Sequence, residues 1–351
     1  MIERVTIKNF QAFKEFSFDR FTPINVIVGE NDSGKTGLLK IMYAATKSIE
    51  EFGIKQKHSP EPFKKVLSNK LGNCFNSRKG GIGRMVRRGA DEKLSSEISY
   101  CDKSHLYFSF SSSAKEQVAD ITDHIKEFDG HINTIFLPAK EVLSIFKTIE
   151  IARDTLFIPE FDDTYYDLVK SLKIPTKKGK IESNLVSVNQ TLERVFEGEV
   201  QQKKEGVNID FIFKKGKSEF PMSFTAEGVK KIGILTTLIR NRQLHKDSIL
   251  FMDEPDSNLH PKAIRELCEI IYSMSKAGVQ IFISTHNYFM IKQLSIIARR
   301  QLESMSCISL SLDDQHAGNF VSSDLKDGLP ENSIVAEALK MIDEEIDLDL
   351  M

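Results

Sequence analysis

The run Gly29-Glu30-Asn31-Asp32-Ser33-Gly34-Lys35-Thr36 carries the strongest chemical signal in the chain. It fits G-x-x-x-x-G-K-[ST], a pattern whose glycines let the backbone wrap a phosphate while successive N–H groups converge on it. Lys35 is placed to reach the β- and γ-phosphates, and Thr36 to offer its hydroxyl to Mg2+. Gly29, Asn31, Ser33 and Gly34 complete the loop. Far along the chain, Asp253 and Glu254 close the apolar run Ile249-Leu250-Phe251-Met252. Two acids at the end of a buried strand are costly unless a cation or hydrogen bonds meet them. Downstream of a phosphate loop, Asp253 reads as a second Mg2+ holder and Glu254 as the base that polarises an attacking water. His286, after the next apolar run, is placed to hydrogen-bond the γ-phosphate or that water. Each of these acids, and the histidine, is weak evidence alone, since many strands end in acids and many loops hold a histidine. Together they imply Mg2+-dependent hydrolysis of ATP, with Lys35, Glu254 and His286 catalytic and Thr36 and Asp253 on the metal.

The surrounding elements suit that chemistry. Ile24-Asn25-Val26-Ile27-Val28 is short and β-branched, as in a buried central strand, and it leads into the loop. Leu38 to Met42 then reads as helix, aiming its N-terminal dipole at the same anion. Short strands are expected at Val5–Ile7 and Phe16–Phe18. Pro261 opens a helix with an apolar face at Ile264, Leu267, Ile271 and Met274, and Gly278 ends it. Val279 to Ile283 is the next strand, so strand, helix and strand form a βαβ unit and imply a parallel sheet. Between the two ends, Thr134–Leu137 reads as a strand, 183–198 as an amphipathic helix and 207–224 as a hairpin turning at Lys215-Gly216-Lys217. Cys307–Leu312 looks strand-like, a helix is expected from Ser333, and the final residues are acidic.

Composition narrows the class. The chain has 351 residues, 40% hydrophobic and 28% charged, which is ordinary for a globular protein. A net charge of -2 gives no whole-molecule argument for nucleic acid, leaving the basic stretch Arg78–Arg88 as the local patch to consider. A solvated basic loop is the commoner reading of such a run. The four cysteines form no C-x-x-C pair, which fits free thiols in a reducing compartment. The start lacks a long apolar stretch, and no run of 18 apolar residues occurs, so the expected place is the cytoplasm.

These pieces together resemble the head of an ABC-type ATPase, and more narrowly the OLD-like and SMC-like predicted ATPases of bacteria. The residues that carry the resemblance are Ile7-Lys8-Asn9-Phe10, Gly29 to Thr36, Thr225-Ala226-Glu227-Gly228-Val229-Lys230-Lys231, Asp253-Glu254-Pro255-Asp256-Ser257-Asn258-Leu259-His260-Pro261 and Ser284-Thr285-His286-Asn287. Glu-Pro followed by Leu-His-Pro is typical of the OLD-like branch. The resemblance implies an α/β P-loop NTPase head with a mixed or parallel sheet, built from 1–45 and 225–351. A mainly helical insertion over 46–224, partly lid or dimer-contact surface and ending in a hairpin, would interrupt it. It also implies a head-to-tail dimer with ATP sandwiched between copies. Thr225, Glu227 and Gly228 would then form the signature, Asp256 and Asn258 the D-loop, and His286 the switch histidine. Two positions depart from the pattern. Ala226 stands where the ABC signature normally has serine, and Pro138-Ala139-Lys140-Glu141 offers no glutamine for the Q-loop.

The resemblance points to a regulatory or sensor ATPase that gates a separate effector, of nuclease type, as in bacterial anti-phage systems. The alternatives are a DNA maintenance ATPase resembling RecF or a short SMC head, with DNA or RNA as partner, and an assembly scaffold with little turnover. A transporter subunit is disfavoured, because an L-S-G-G-Q signature is absent.

Overall fold

The computed structural model describes residues 1–350 except 57–60, 78–79, 126–132, 157, 159, 177–182, 196–197, 206–207 and 314–316. The chain opens with strands β1 (Ile2–Phe10), β2 (Phe13–Phe18) and β3 (Ile24–Gly29), then the long helix α1 (Lys35–Gln56). Next come α2 (Phe63–Cys74), β4 (Leu94–Tyr100), β5 (His105–Phe110), β6 (Asp120–His124) and β7 (Asn133–Leu137). Helices α3 (Phe146–Asp154), α4 (Asp163–Lys173) and α5 (Ser183–Val195) follow, then β8 (Glu199–Glu205), β9 (Asn208–Lys215) and β10 (Ser218–Pro221). The last part runs α6 (Glu227–Arg240), β11 (Ser248–Asp253), α7 (Pro261–Lys276), β12 (Gln280–Thr285), α8 (Tyr288–Gln301), β13 (Ser306–Leu312), β14 (Gly318–Asp324) and α9 (Ser333–Asp349).

An eleven-stranded sheet in the order β6-β5-β4-β1-β2-β14-β13-β3-β12-β11-β7 organises the molecule, so the fold is α/β with a mixed sheet. Its parallel part, β13-β3-β12-β11-β7, comes from the apolar runs. β3, β11 and β12 are buried at every position, as strands covered on both faces must be. The βαβ unit forms as expected, with β11 and β12 adjacent and parallel around α7. In contrast β1, β2, β4, β5 and β6 pair antiparallel, and β1 and β2 expose alternate stretches to solvent.

One face of the parallel sheet is fixed by aromatic packing. Phe136, Phe251 and Phe282 are register partners across β7, β11 and β12, and their rings stack with centroids 6.3 and 5.0 Å apart. Tyr43 of α1 meets Phe136 and Phe251 edge-on at 5.3 and 6.0 Å. Such pairs add about 0.5–1.5 kcal/mol each beyond area burial. They seat α1 directly over β7 and β11. The other face is covered by α6, α7 and α8 within a second apolar core.

Residues 46–224 hold helices α2 to α5 and also supply β4 to β7 to the main sheet, so the segment expected as a mainly helical insertion contributes strands to the same sheet as the two ends. The hairpin expected over 207–224 is β9 and β10, joined by β8 in a separate three-stranded sheet. Val207 and Phe196, both part of the sequence expectations, lie outside the described residues, as do Arg78 and Lys79 of the basic stretch. The rest of that stretch is docked: Ile82, Met85 and Val86 are buried, the Arg87 N–H donates to the Asn9 carbonyl, and Arg84 and Arg88 point outward. No described helix is long and apolar enough to cross a membrane.

Candidate functional site

Three neighbouring parallel strands, β3, β12 and β11, end at the same edge of the sheet. That shared direction brings together side chains more than two hundred residues apart. The Gly29–Thr36 loop leaves β3, Asp253 and Glu254 leave β11, and Ser284 to His286 leave β12.

The loop needs its glycines for space. A Cβ on Gly29 would lie 2.6 Å from the Leu310 carbonyl oxygen. Gly34 sits at φ +93°, where L side chains are strained, and its Cβ would lie 2.6 Å from the Phe13 ring. Gly34→Ala should therefore destabilise the fold by roughly 1–3 kcal/mol and shift the loop, which thermal unfolding and ATP titration would read together. An unchanged melting temperature with unchanged ATP affinity would refute this account of the loop.

Lys35 folds back over the loop, donating to the carbonyls of Gly29 (2.9 Å) and Glu30 (2.7 Å). Burial pushes its ammonium down from the ordinary lysine range, against the pull of Glu254 and Asp253. Ser33, also buried, has a hydroxyl with no hydrogen-bond partner among the described residues, inside the same loop. An orphaned buried hydroxyl and a lysine held by backbone carbonyls are what a phosphate cradle leaves for its ligand.

Asp253 gathers two hydroxyls from neighbouring elements. The Thr36 hydroxyl donates to both its carboxylate oxygens, at 2.9 and 3.1 Å, and the Ser284 hydroxyl donates to Oδ1 at 2.5 Å. Burial pushes the Asp253 carboxyl up, against these two hydrogen bonds. A divalent cation beside it would stabilise the ionised form, and a carboxylate next to a hydroxyl is the hard-oxygen set that suits Mg2+.

Glu254 adopts φ +45°, a left-handed conformation that a non-glycine residue takes at a cost. Its amide is anchored to the Ser284 carbonyl (3.1 Å) and hydroxyl (3.2 Å). Its carboxylate lies 3.0 Å from His286 Nδ1, and both side chains reach solvent. The two expected catalytic groups are therefore in direct contact.

The remaining expected residues form a second group. Asp256 is buried and accepts from the Thr285 hydroxyl at 2.9 Å, while Asn258 is exposed at φ +61°. Thr225, Glu227 and Gly228 lie at the start of α6, as the sequence suggests. Among the described residues no hydrogen bond or ion pair links them to Gly29–Thr36. Asn31 is exposed at the loop tip. The segment after β7 emerges next to Asp253, since Leu137 is the register partner of Met252. Pro138–Glu141 therefore follow on beside the end of β11.

Sequence reasoning missed two linking residues. Lys231 of α6 donates to the carbonyls of Glu254, Pro255 and Ser257 and to the Ser257 hydroxyl, at 2.7 to 3.3 Å. It ties the start of α6 to the turn that holds Asp256. Ser284 joins Asp253 to the Glu254 backbone. The Ser-Thr-His-Asn run drew attention to this place, but a strand-end serine has no signal of its own.

A sequence profile of the family described as "AAA domain, putative AbiEii toxin, Type IV TA system" matches residues 24–291. The chain belongs to this family. The match runs from β3 into α8 and so takes in every strand end described above. The protein therefore carries an AAA-type, P-loop ATPase domain. A curated relative, "ATP/GTP phosphatase" of Helicobacter pylori (strain ATCC 700392 / 26695), is 49% identical over 43 residues, which is 12% of each chain. Solved structures of similar shape include an SmcHead bound to the C-winged helix domain of ScpA, with TM-score 0.49 and 15% identity, covering 93% of this chain and 98% of that one. Another is the SMC head domain from Thermotoga maritima, with TM-score 0.46 and 12% identity, covering 92% and 98%. A third is an Smc head domain with an extended coiled coil, bound to the C-terminal domain of ScpA derived from Pyrococcus furiosus. It has TM-score 0.45 and 15% identity and covers 98% and 99%. At these scores and identities none of the three bears on what this chain does.

Proposed function

We propose that this AAA-domain protein is an ABC-type, OLD-like ATPase that hydrolyses ATP with Mg2+ and uses the cycle to gate a separate effector. The observation that carries the proposal is the convergence of Lys35, Thr36, Asp253, Glu254 and His286 at one sheet edge, with Thr36 bonded to Asp253 and Glu254 in contact with His286. In this reading Lys35 leaves the Gly29 and Glu30 carbonyls for the phosphates. Thr36 and Asp253 would hold Mg2+, which would neutralise charge on the phosphates. Glu254 takes a proton from the attacking water. His286, held by Glu254, senses the γ-phosphate.

Among the described residues, the signature segment Thr225–Gly228 makes no hydrogen bond or ion pair to Gly29–Thr36, which suits a contact made across a dimer. Each ATP would then meet one copy's Gly29–Thr36 and the other's Thr225, Glu227 and Gly228, with Asp256 and Asn258 at the junction. The chain ends 1–45 and 225–351 form the catalytic head, and 46–224 adds strands to its sheet together with a lid or dimer-contact surface. The family description, with its toxin and Type IV TA system, supports a role in bacterial conflict, such as anti-phage defence with a nuclease-type effector.

The test is light scattering with and without Mg-ATP, together with phosphate release, for wild type and Glu254→Gln. Removing the base should cut turnover at least about 100-fold and trap an ATP-dependent larger species. Unchanged turnover in that variant would remove Glu254 from the chemistry. Turnover that falls without any ATP-dependent change in mass would leave an ATPase but end the sandwich.

A further inference from the structure

Helix α9 leaves the body of the protein almost at once. Its N-terminus is fixed by Asn332, whose side chain accepts from the Val335 N–H (2.9 Å) and donates to Ser309 Oγ (3.2 Å). Val335 is its one buried residue. From there an apolar stripe recurs at helical spacing: Val335, Leu339, Ile342 and Ile346. Val335 is 5% exposed, whereas Leu339, Ile342 and Ile346 are 47%, 44% and 50% exposed. The stripe starts in the core and then runs on half exposed. In proteins most helical stability comes from packing such an apolar face against a partner.

The charges beside the stripe say what kind of partner fits. At 100° per residue, Asp343 and Asp347 flank one side of it and Glu345 and Asp349 the other. The one lysine of the helix, Lys340, lies on the back and is 3.9 Å from Glu344. Two copies of α9 packed stripe to stripe would set carboxylates against carboxylates on both rims, which is repulsive. An anionic lipid surface would repel the same rims.

We propose that α9 is a docking element for a different protein, one that presents an apolar groove rimmed by Lys and Arg. The mode is a helix laid into a groove, with Leu339, Ile342 and Ile346 as anchors and the acidic rims setting orientation and speed of encounter. The proposal stands on α9 alone and goes beyond the ATPase reading.

The experiment uses the full chain and two labelled synthetic amphipathic peptides, identical in their leucine stripe but flanked by Lys in one and by Glu in the other. Fluorescence anisotropy should show the Lys-flanked peptide binding at least about tenfold more tightly, with affinity falling as salt rises. Leu339→Glu with Ile342→Glu should weaken it by a further factor of about ten. Because those changes can also unwind α9, a second variant reverses the rims: Asp343→Lys, Glu345→Lys, Asp347→Lys and Asp349→Lys together should switch the preference to the Glu-flanked peptide. Equal binding of both peptides by the wild type, or no switch on charge reversal, overturns the proposal. So does a wild-type oligomer that falls apart in the Leu339→Glu, Ile342→Glu variant, which would give the stripe to a second copy.

Discussion

Lys35→Ala is expected to abolish measurable ATP binding and to lower any phosphate release by roughly 1,000-fold or more. The size of the effect follows from position. Lys35 is buried at the start of α1, inside a loop whose glycines admit no side chain, and burial pushes its ammonium down while Glu254 and Asp253 oppose the shift. A fixed cation in such a site acts on phosphate charge without water to screen it, and losing one such preorganised group commonly costs about 100- to 1,000-fold in rate. Here affinity goes as well, because the same lysine is the loop's only cationic side chain. The fold should survive, since among the described residues the Lys35 ammonium bonds to the loop carbonyls of Gly29 and Glu30 alone. Isothermal titration with Mg-ATP and a thermal melt of the same sample check both halves. ATP affinity within a few-fold of wild type would refute the phosphate-loop assignment.

Lys70→Met should destabilise the fold by about 3–5 kcal/mol. Lys70 of α2 is 4% exposed and lies 2.6 Å from Glu51 of α1, and 2.9 and 2.8 Å from Asp163 and Asp167 of α4. Arg153 shares Asp163 at 2.6 Å, and the Tyr43 hydroxyl donates to Asp167 at 2.9 Å. Burial alone would push the Asp167 carboxyl up, but Lys70, then Lys170 and Lys47, outweigh it and hold the group well below the usual carboxylate range. Methionine keeps the length and leaves these carboxylates buried beside an apolar chain. Urea unfolding should show a lower midpoint with an unchanged slope.

The pH dependence follows from the same residues. A depressed carboxylate contributes stability that is present above its unfolded pKa of about 4 and is lost as pH falls through its folded value. In Lys70→Met the folded value rises, so acid unfolding should begin at higher pH than in wild type. An acid midpoint that does not move would show that Asp167 is held ionised by other groups. The cluster also reaches towards the site: Asp162, the N-cap of α4, holds Lys40 at 2.5 Å, and Lys40 lies one turn beyond Thr36 on α1.

Much of the site was legible because its signals are local. A strand, a glycine loop and a helix start occupy consecutive residues from Ile24 to Met42, and their physics is complete within that stretch. The βαβ unit from Ser248 to Thr285 was legible for the same reason, since runs buried on both faces are continuously apolar. Strands β4 and β8 were not. Leu94–Tyr100 reads Leu-Ser-Ser-Glu-Ile-Ser-Tyr, with one side chain in two on a covered face, and Glu199–Glu205 is almost wholly polar. β4 pairs on one side with β1, far away in the chain, and β8 lies in the small separate sheet, where neighbours rather than propensity decide.

The sequence by itself marked the candidate groups: a phosphate loop, two acids at a strand end, and a histidine after the next strand. Only the tertiary structure decided which of them meet. Sheet order sets β3 beside β12 and β12 beside β11, and that order brings Thr36 to Asp253, Ser284 to both acids and Glu254 to His286. It also decided that Lys231 braces the turn after Glu254, and that the stripe of α9 leaves the core after Val335. Residue type and spacing are local properties. Contacts between residues far apart in the chain depend on how buried strands and helices share one core, which no single segment encodes.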